Sequence, residues 1–127
     1  MSVQQPKTLA IIGQGYVGLP LAMAAIDAGW TVIGVDNFEA KVSQINRGSS
    51  PVEDISDAQL QAAILKGVYK ATTDFSAVSQ ASVITICVPT PLDEKRQPDL
   101  TLLRSAAIGI APFVSNETLV VSESTSY

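Results

Sequence analysis

The sequence predicts one α/β domain built on a doubly wound parallel sheet, five strands in the order 3-2-1-4-5. Three observations carry this expectation. Apolar, largely β-branched runs at 9–12, 31–35 and 83–88 read as strands buried on both faces, as parallel strands are. Stretches of helical length separate them, giving the order β-α-β-α-α-β-α-β-α-β. The first strand also runs directly into Gly13, Gly15 and Gly18, at GxGxxG spacing, with a helix opening behind them.

Each element has a local cause. Residues 9–12 form the first strand, and a helix over 19–28 follows, with Pro20 in its first turn where a missing N–H costs little. A second strand spans 31–35 and ends at Asp36. Asn37 is expected to cap a helix over 38–46 that Gly48 terminates. Residues 48–56, GSSPVEDIS, are a turn-rich loop. Asp57 is expected to cap a helix through Lys66, closed by Gly67. A short strand over 69–73, a short helix over 75–80 and the apolar strand 83–88 come next. Three prolines then keep PTPLDEKRQPD from being helical. A helix over 100–113 and a strand over 118–123 complete the order.

The glycine run has a mechanical reading. Gly13 turns the chain sharply out of the strand, Gly15 lets backbone approach a pyrophosphate at the helix N-terminus, and Gly18 lets helix and strand pack closely. Asp36, about 20 residues further on, can accept the ribose hydroxyls of an adenosine, and its charge repels a 2′-phosphate. The expected cofactor is therefore NAD rather than NADP.

Composition narrows the function classes. Of 127 residues, 46% are apolar and 16% charged, which fits one globular domain. Eight basic residues against twelve acidic give a net charge of −4, which argues against nucleic acid or an anionic membrane as partner. The one cysteine excludes an internal disulfide and fits a reducing compartment. No signal peptide or membrane-spanning run is read, so cytoplasm is the expected location, and no metal site is expected. The chain has no histidine. A proton acceptor for alcohol oxidation must then be a carboxylate, a lysine or a bound water, or lie outside these residues.

In a doubly wound sheet, ligands sit beyond the C-terminal strand ends where the strand order reverses. That rule gathers the glycine run, Asp36, residues 88–91 and residues 123–125 on one rim. Thr90, held extended between two prolines, faces a second ribose or forms a rigid loop start. Ser124, Thr125 and Ser126 are a hydroxyl cluster at the last strand end. Glu123 is read either as a buried acceptor near the nicotinamide or as a solvated end. Lys41 either reaches the adenosine ribose or is solvated, and residues 93–96 are a solvated loop or a lid. Cys87 is read as core packing. Trp30 is read as a cover over the helix–strand turn.

With those residues placed, the chain resembles, from Leu9 to Tyr127, the N-terminal domain of the UDP-glucose/GDP-mannose dehydrogenase family. The resemblance rests on IIGQGYVGLPLA, on GVD with Lys41 five residues later, on ICVPTPLD and on SESTSY. GYVGLP and VPTPLD are far more specific than GxGxxG. The resemblance implies an NAD-dependent enzyme that oxidises C6 of a nucleotide sugar from alcohol to acid for polysaccharide precursors. It implies NAD contacts from Gly13, Gln14, Gly15, Tyr16, Val17, Gly18, Asp36, Lys41, Val88, Thr90 and Ser124. Thr125 matches the family threonine that helps hold a catalytic water. ESTSY is more similar to the UDP-N-acetylhexosamine branch than to the UDP-glucose branch.

The departure is length. The family's catalytic cysteine lies in a later segment, with lysine, asparagine and aspartate partners, and Cys87 does not match it. The expectation is a fragment or excised domain that binds NAD, does not turn over alone, and meets a nucleotide-sugar substrate through the missing domain of a homo-oligomeric parent. Other readings stay open: another NAD-linked hydroxyl dehydrogenase, a non-enzymatic NAD-sensing domain, or a flavin or S-adenosylmethionine site.

Overall fold

The computed structural model describes residues 7–123. Five parallel strands lie in the order β3-β2-β1-β4-β5, as the sequence predicts. They are β1 (Thr8–Ile12), β2 (Thr31–Val35), β3 (Tyr69–Thr72), β4 (Val83–Ile86) and β5 (Leu119–Ser122). The helices are α1 (Gly18–Asp27), α2 (Glu39–Asn46), α3 (Asp57–Leu65) and α4 (Thr101–Ile110).

Alternation along β1 divides the core in two. Leu9 and Ile11 face one side, with Val32, Leu19 and Met23 of α1, Val42 and Ile45 of α2, and Leu60 of α3. Ala10 and Ile12 face the other, with Ile33, Val35, Ile84, Ile86, Ala77, Val78, Ala106 and Ile110. Both faces of the central strands are therefore apolar and covered, which is why their sequence reads as continuous hydrophobic runs.

Four details differ from the sequence reading. Neither Asn37 nor Asp57 caps a helix. The chain enters α2 through Phe38, whose N–H is taken by Asp36 Oδ1 at 3.0 Å. Ser56 caps α3 by accepting from the Gln59 N–H, and Asp57 Oδ1 instead accepts the Ser50 N–H, pinning the preceding loop. Residues 75–80 wind as a 3₁₀ helix capped by Asp74. The helix expected over 100–113 splits into α4 and a 3₁₀ turn, Ala111–Phe113, where Pro112 cannot donate an α-helical bond. Trp30 packs against the first core cluster as expected, with Lys7 Nζ 5.7 Å from its ring centre.

Candidate functional site

The C-terminal ends of β1, β2 and β4 open onto a cleft of about 490 Å³, lined by Gly13, Gln14, Gly15, Tyr16, Val17, Asp36, Lys41 and Val88 among others. Segments remote in sequence thus meet where the topology places them. Gly13, at φ 97°, makes the turn, and a Cβ there would lie 2.9 Å from the Cys87 carbonyl oxygen. A Cβ on Gly18 would collide with the Gly13 carbonyl oxygen, so the helix can only start this close to the strand without a side chain. Gly15 differs. A Cβ there would meet nothing within 4 Å among the described residues, whose packing therefore does not account for glycine, and the bare backbone faces the cleft.

Helix α1 presents its N-terminus to the same opening. Among the described residues no side chain caps it and no acid sits in its first turn. Its positive dipole end faces the opening, while within the first turn the Leu19 N–H already donates to the Gly15 carbonyl and Pro20 carries no N–H.

Asp36 is the organising charge. It is 6% exposed, and both of its carboxylate oxygens meet polar groups. Oδ2 accepts the Gln14 backbone N–H at 2.9 Å and the Lys41 ammonium at 3.0 Å, while Oδ1 accepts the Phe38 N–H. Three of about four acceptor positions on a carboxylate are thereby filled. The one left open is on Oδ1, so a diol that takes both oxygens must share Oδ2 with Lys41 or displace it.

Beneath the loop lies a buried polar pair that sequence reasoning missed. The Gln14 side chain is fully buried and turned away from the cleft, so Gln14 lines the cleft with its backbone. Its Nε2 donates to the Ile11 and Gly13 carbonyls at 3.2 and 2.9 Å, and its Oε1 accepts the Tyr69 hydroxyl at 2.7 Å. Burial, with the Asp36 charge as a second cause, holds the Tyr69 phenol well above its ordinary range. Gly34 makes the room, since a Cβ on it would lie 2.5 Å from Gln14 Oε1.

The other expected residues distribute as follows. Tyr16 and Val17 are exposed on the cleft wall, and Val88 lines it. Thr90 is buried, off that wall. Glu123 is exposed at the cleft mouth. Cys87 is buried in the first core cluster, in accord with packing, and burial followed by the nearby Glu123 charge pushes its thiol up to about 11. Residues 93–96 are exposed and stand off the cleft, folded around Asp93 Oδ1, which accepts the Lys95 and Gln97 N–H groups. Ser124, Thr125 and Ser126 lie outside the described residues. Sequence reading also missed Phe38, Pro51, Val52, Phe75 and Leu102 as lining residues. Phe38, an aromatic directly after the acidic strand end, is 69% exposed with Lys41 Nζ 5.5 Å from its ring centre, and was the most findable of them.

Comparison with known proteins decides what this cleft belongs to. Residues 7–127 match the model of the UDP-glucose/GDP-mannose dehydrogenase family, NAD binding domain. This chain belongs to that family. Its cofactor is NAD, as expected. Among similar curated proteins, the NDP-N-acetyl-D-galactosaminuronic acid dehydrogenase of Ralstonia nicotianae is 40% identical, across 94% of this chain and 28% of its own length. The UDP-N-acetyl-D-mannosamine dehydrogenase of Escherichia coli K12 is 38% identical over the same shares. A ternary complex of GDP-mannose dehydrogenase from Pseudomonas aeruginosa superposes with a TM-score of 0.86 at 36% identity, over 92% of this chain and 28% of that one. The family member described here thus spans under a third of the length of the relatives it matches. Among its described residues, no helix is long and apolar enough to cross a membrane.

Proposed function

We propose that this chain is the cofactor-binding part of a nucleotide-sugar 6-dehydrogenase, with NAD laid across the cleft and the sugar presented by residues beyond 1–127. Asp36 carries the reading. A carboxylate buried at the end of β2, fixed by two backbone N–H groups and a lysine, is built to hold a ribose diol and to repel a 2′-phosphate.

Bound NAD supplies a hydride acceptor for C6 of the sugar. The chain's own residues do the holding. Asp36, with its open acceptor position on Oδ1, and the neighbouring Lys41 would hold the adenosine ribose hydroxyls. Phe38 and Val52 form an apolar wall for the base. The α1 N-terminus and the bare Gly15 backbone receive the pyrophosphate. Val88, on the cleft wall, would flank the second ribose, and the family resemblance adds Thr90 and Ser124 as cofactor contacts and Thr125 as a holder of water. The similarity to enzymes named for N-acetylhexosamine nucleotides supports a UDP-N-acetylhexosamine as substrate. The parent acts in the cytoplasm as a homo-oligomer, and the 127 residues alone bind NAD without turnover.

Calorimetric titration of the chain with NAD and then with UDP-glucose and UDP-N-acetylhexosamines, with NADH absorbance followed in parallel, tests this division. NAD binding with neither sugar binding nor NADH formation is expected. Sugar-dependent NADH formation by the 127 residues would overturn the assignment of substrate handling to the rest of the protein.

A further inference from the structure

Gln14 stands at the variable position between the first two glycines, where the loop requires only a backbone. Its side chain nevertheless makes three hydrogen bonds with no exposure to solvent. The donor pattern is fixed by its partners. The Ile11 and Gly13 carbonyls can only accept, so the amide NH₂ must face them, which leaves Oε1 for the Tyr69 hydroxyl to donate to.

One of these bonds falls on the peptide that joins Gly13 to Gln14. Its carbonyl oxygen is held by Gln14 Nε2 at 2.9 Å, and its N–H donates to Asp36 Oδ2 at 2.9 Å. A peptide unit is planar, so fixing the direction of its oxygen fixes the direction of its N–H. Tyr69, reaching from β3 along the face that Gly34 leaves clear, holds the Gln14 amide at the far end.

We infer that Tyr69 and Gln14 are positioning residues for the ribose-binding carboxylate, acting through the Gly13–Gln14 peptide, so that β3 sets the orientation of Asp36 although it contributes nothing to the cleft wall. The inference rests on the reading of Asp36 as the adenosine ribose acceptor. Neither residue touches the cofactor through its side chain.

Three variants separate positioning from support of the fold. Tyr69→Phe leaves Gln14 Oε1 buried without its donor, and Gln14→Leu leaves the Tyr69 hydroxyl without its acceptor and the Ile11 and Gly13 carbonyls without the Nε2 donor. Both single variants are expected to lower the melting temperature and to weaken NAD binding about 3- to 10-fold. Replacing both partners by apolar groups removes the unpaired Oε1 and hydroxyl but not the loss of the Nε2 donor at the Ile11 and Gly13 carbonyls, so Gln14→Leu/Tyr69→Phe is expected to recover only part of the lost melting temperature. NAD affinity is expected to stay about 3- to 10-fold weak in the double variant, because the tie on the Gly13 carbonyl is gone. Amide exchange at Gln14 in the absence of ligand is expected to be faster in the double variant than in the wild type, whose Gln14 N–H is held by Asp36. Recovery of affinity together with stability, or wild-type exchange rates in the double variant, would overturn the inference. A wild-type chain that fails to bind NAD would count against the Asp36 reading, whereas the exchange comparison tests the positioning step without ligand.

Discussion

The two flanks of this sheet are built differently. On the β2–β3 side, β2 is largely buried, Gly34 is closed in by the Gln14 and Tyr69 side chains, and Asp36, Gln14 and Tyr69 exchange hydrogen bonds inside the core. On the β4–β5 side, Leu119 is 60% exposed, Val120 42%, and Ile108 of α4 74%. On the proposed reading the adenosine end of the cleft lies on the tightly bonded flank, while the β4–β5 flank keeps apolar surface open to solvent. Recognition of the cofactor's adenosine and presentation of a substrate are separable tasks, and this chain has invested its internal bonding in the first.

Substitutions on the two flanks should differ accordingly. The largest effect is expected at Gly18, because a methyl there must displace the Gly13 carbonyl that the whole loop is organised around. Gly18→Ala should cost about 3 kcal/mol in urea denaturation, the upper range for overpacking, and abolish measurable NAD binding. A near-neutral result would mean that α1 can slide away from β1. Next, Asp36→Ala removes charge-assisted bonds of roughly 1.5–3 kcal/mol, so titration should show NAD affinity reduced about 10- to 100-fold.

Cys87 lies between the flanks, in the first core cluster and at the cleft lining, and tests chiefly packing. Cys87→Ser should lower stability by about 1–2 kcal/mol through burial of a poorly paired hydroxyl, with NAD affinity unchanged. Its pH signature has a definite sign. Because the folded thiol is raised from 9.0 to about 11, its contribution to stability is full below pH 9.0 and is lost as pH rises toward about 11. Denaturation midpoints of the wild type should fall across that window more steeply than those of Cys87→Ser. The smallest effect is expected at Ile108, where Ile108→Ser should change stability by less than about 0.5 kcal/mol and leave NAD binding untouched. A large loss there would show that the exposed flank is more tightly coupled to the fold than its burial indicates.

What was legible in the sequence follows the same division. Strand order, the glycine turn and the acidic strand end are encoded by short-range patterns: continuous apolar runs, fixed glycine spacing and one carboxylate at a set distance. Helix starts were less legible, because Asn37 and Asp57 have the right chemistry for caps but Asp36 and Ser56 are better placed to meet the free N–H groups. The split of α4 was written in Pro112, one residue inside the 3₁₀ turn. The Gln14–Tyr69 pair was not legible at all, since 55 positions separate its members and only folding brings them 2.7 Å apart. Gly34 was its trace, a glycine inside a β-branched strand that no turn required. The lining role of Val52 depends on a loop whose path is set by hydrogen bonds of Ser50 to Asp57 and to Val52 itself.

The most direct test of the account is a paired calorimetric titration of the 127-residue chain with NAD and NADP. Asp36, held rigidly by its three partners, predicts NAD binding with NADP weaker by about tenfold or more, the charge repulsion and lost bond amounting to at least about 1.4 kcal/mol. Equal affinity for the two, or no NAD binding by a folded sample, would contradict the claim that these residues alone complete the adenosine end of the site.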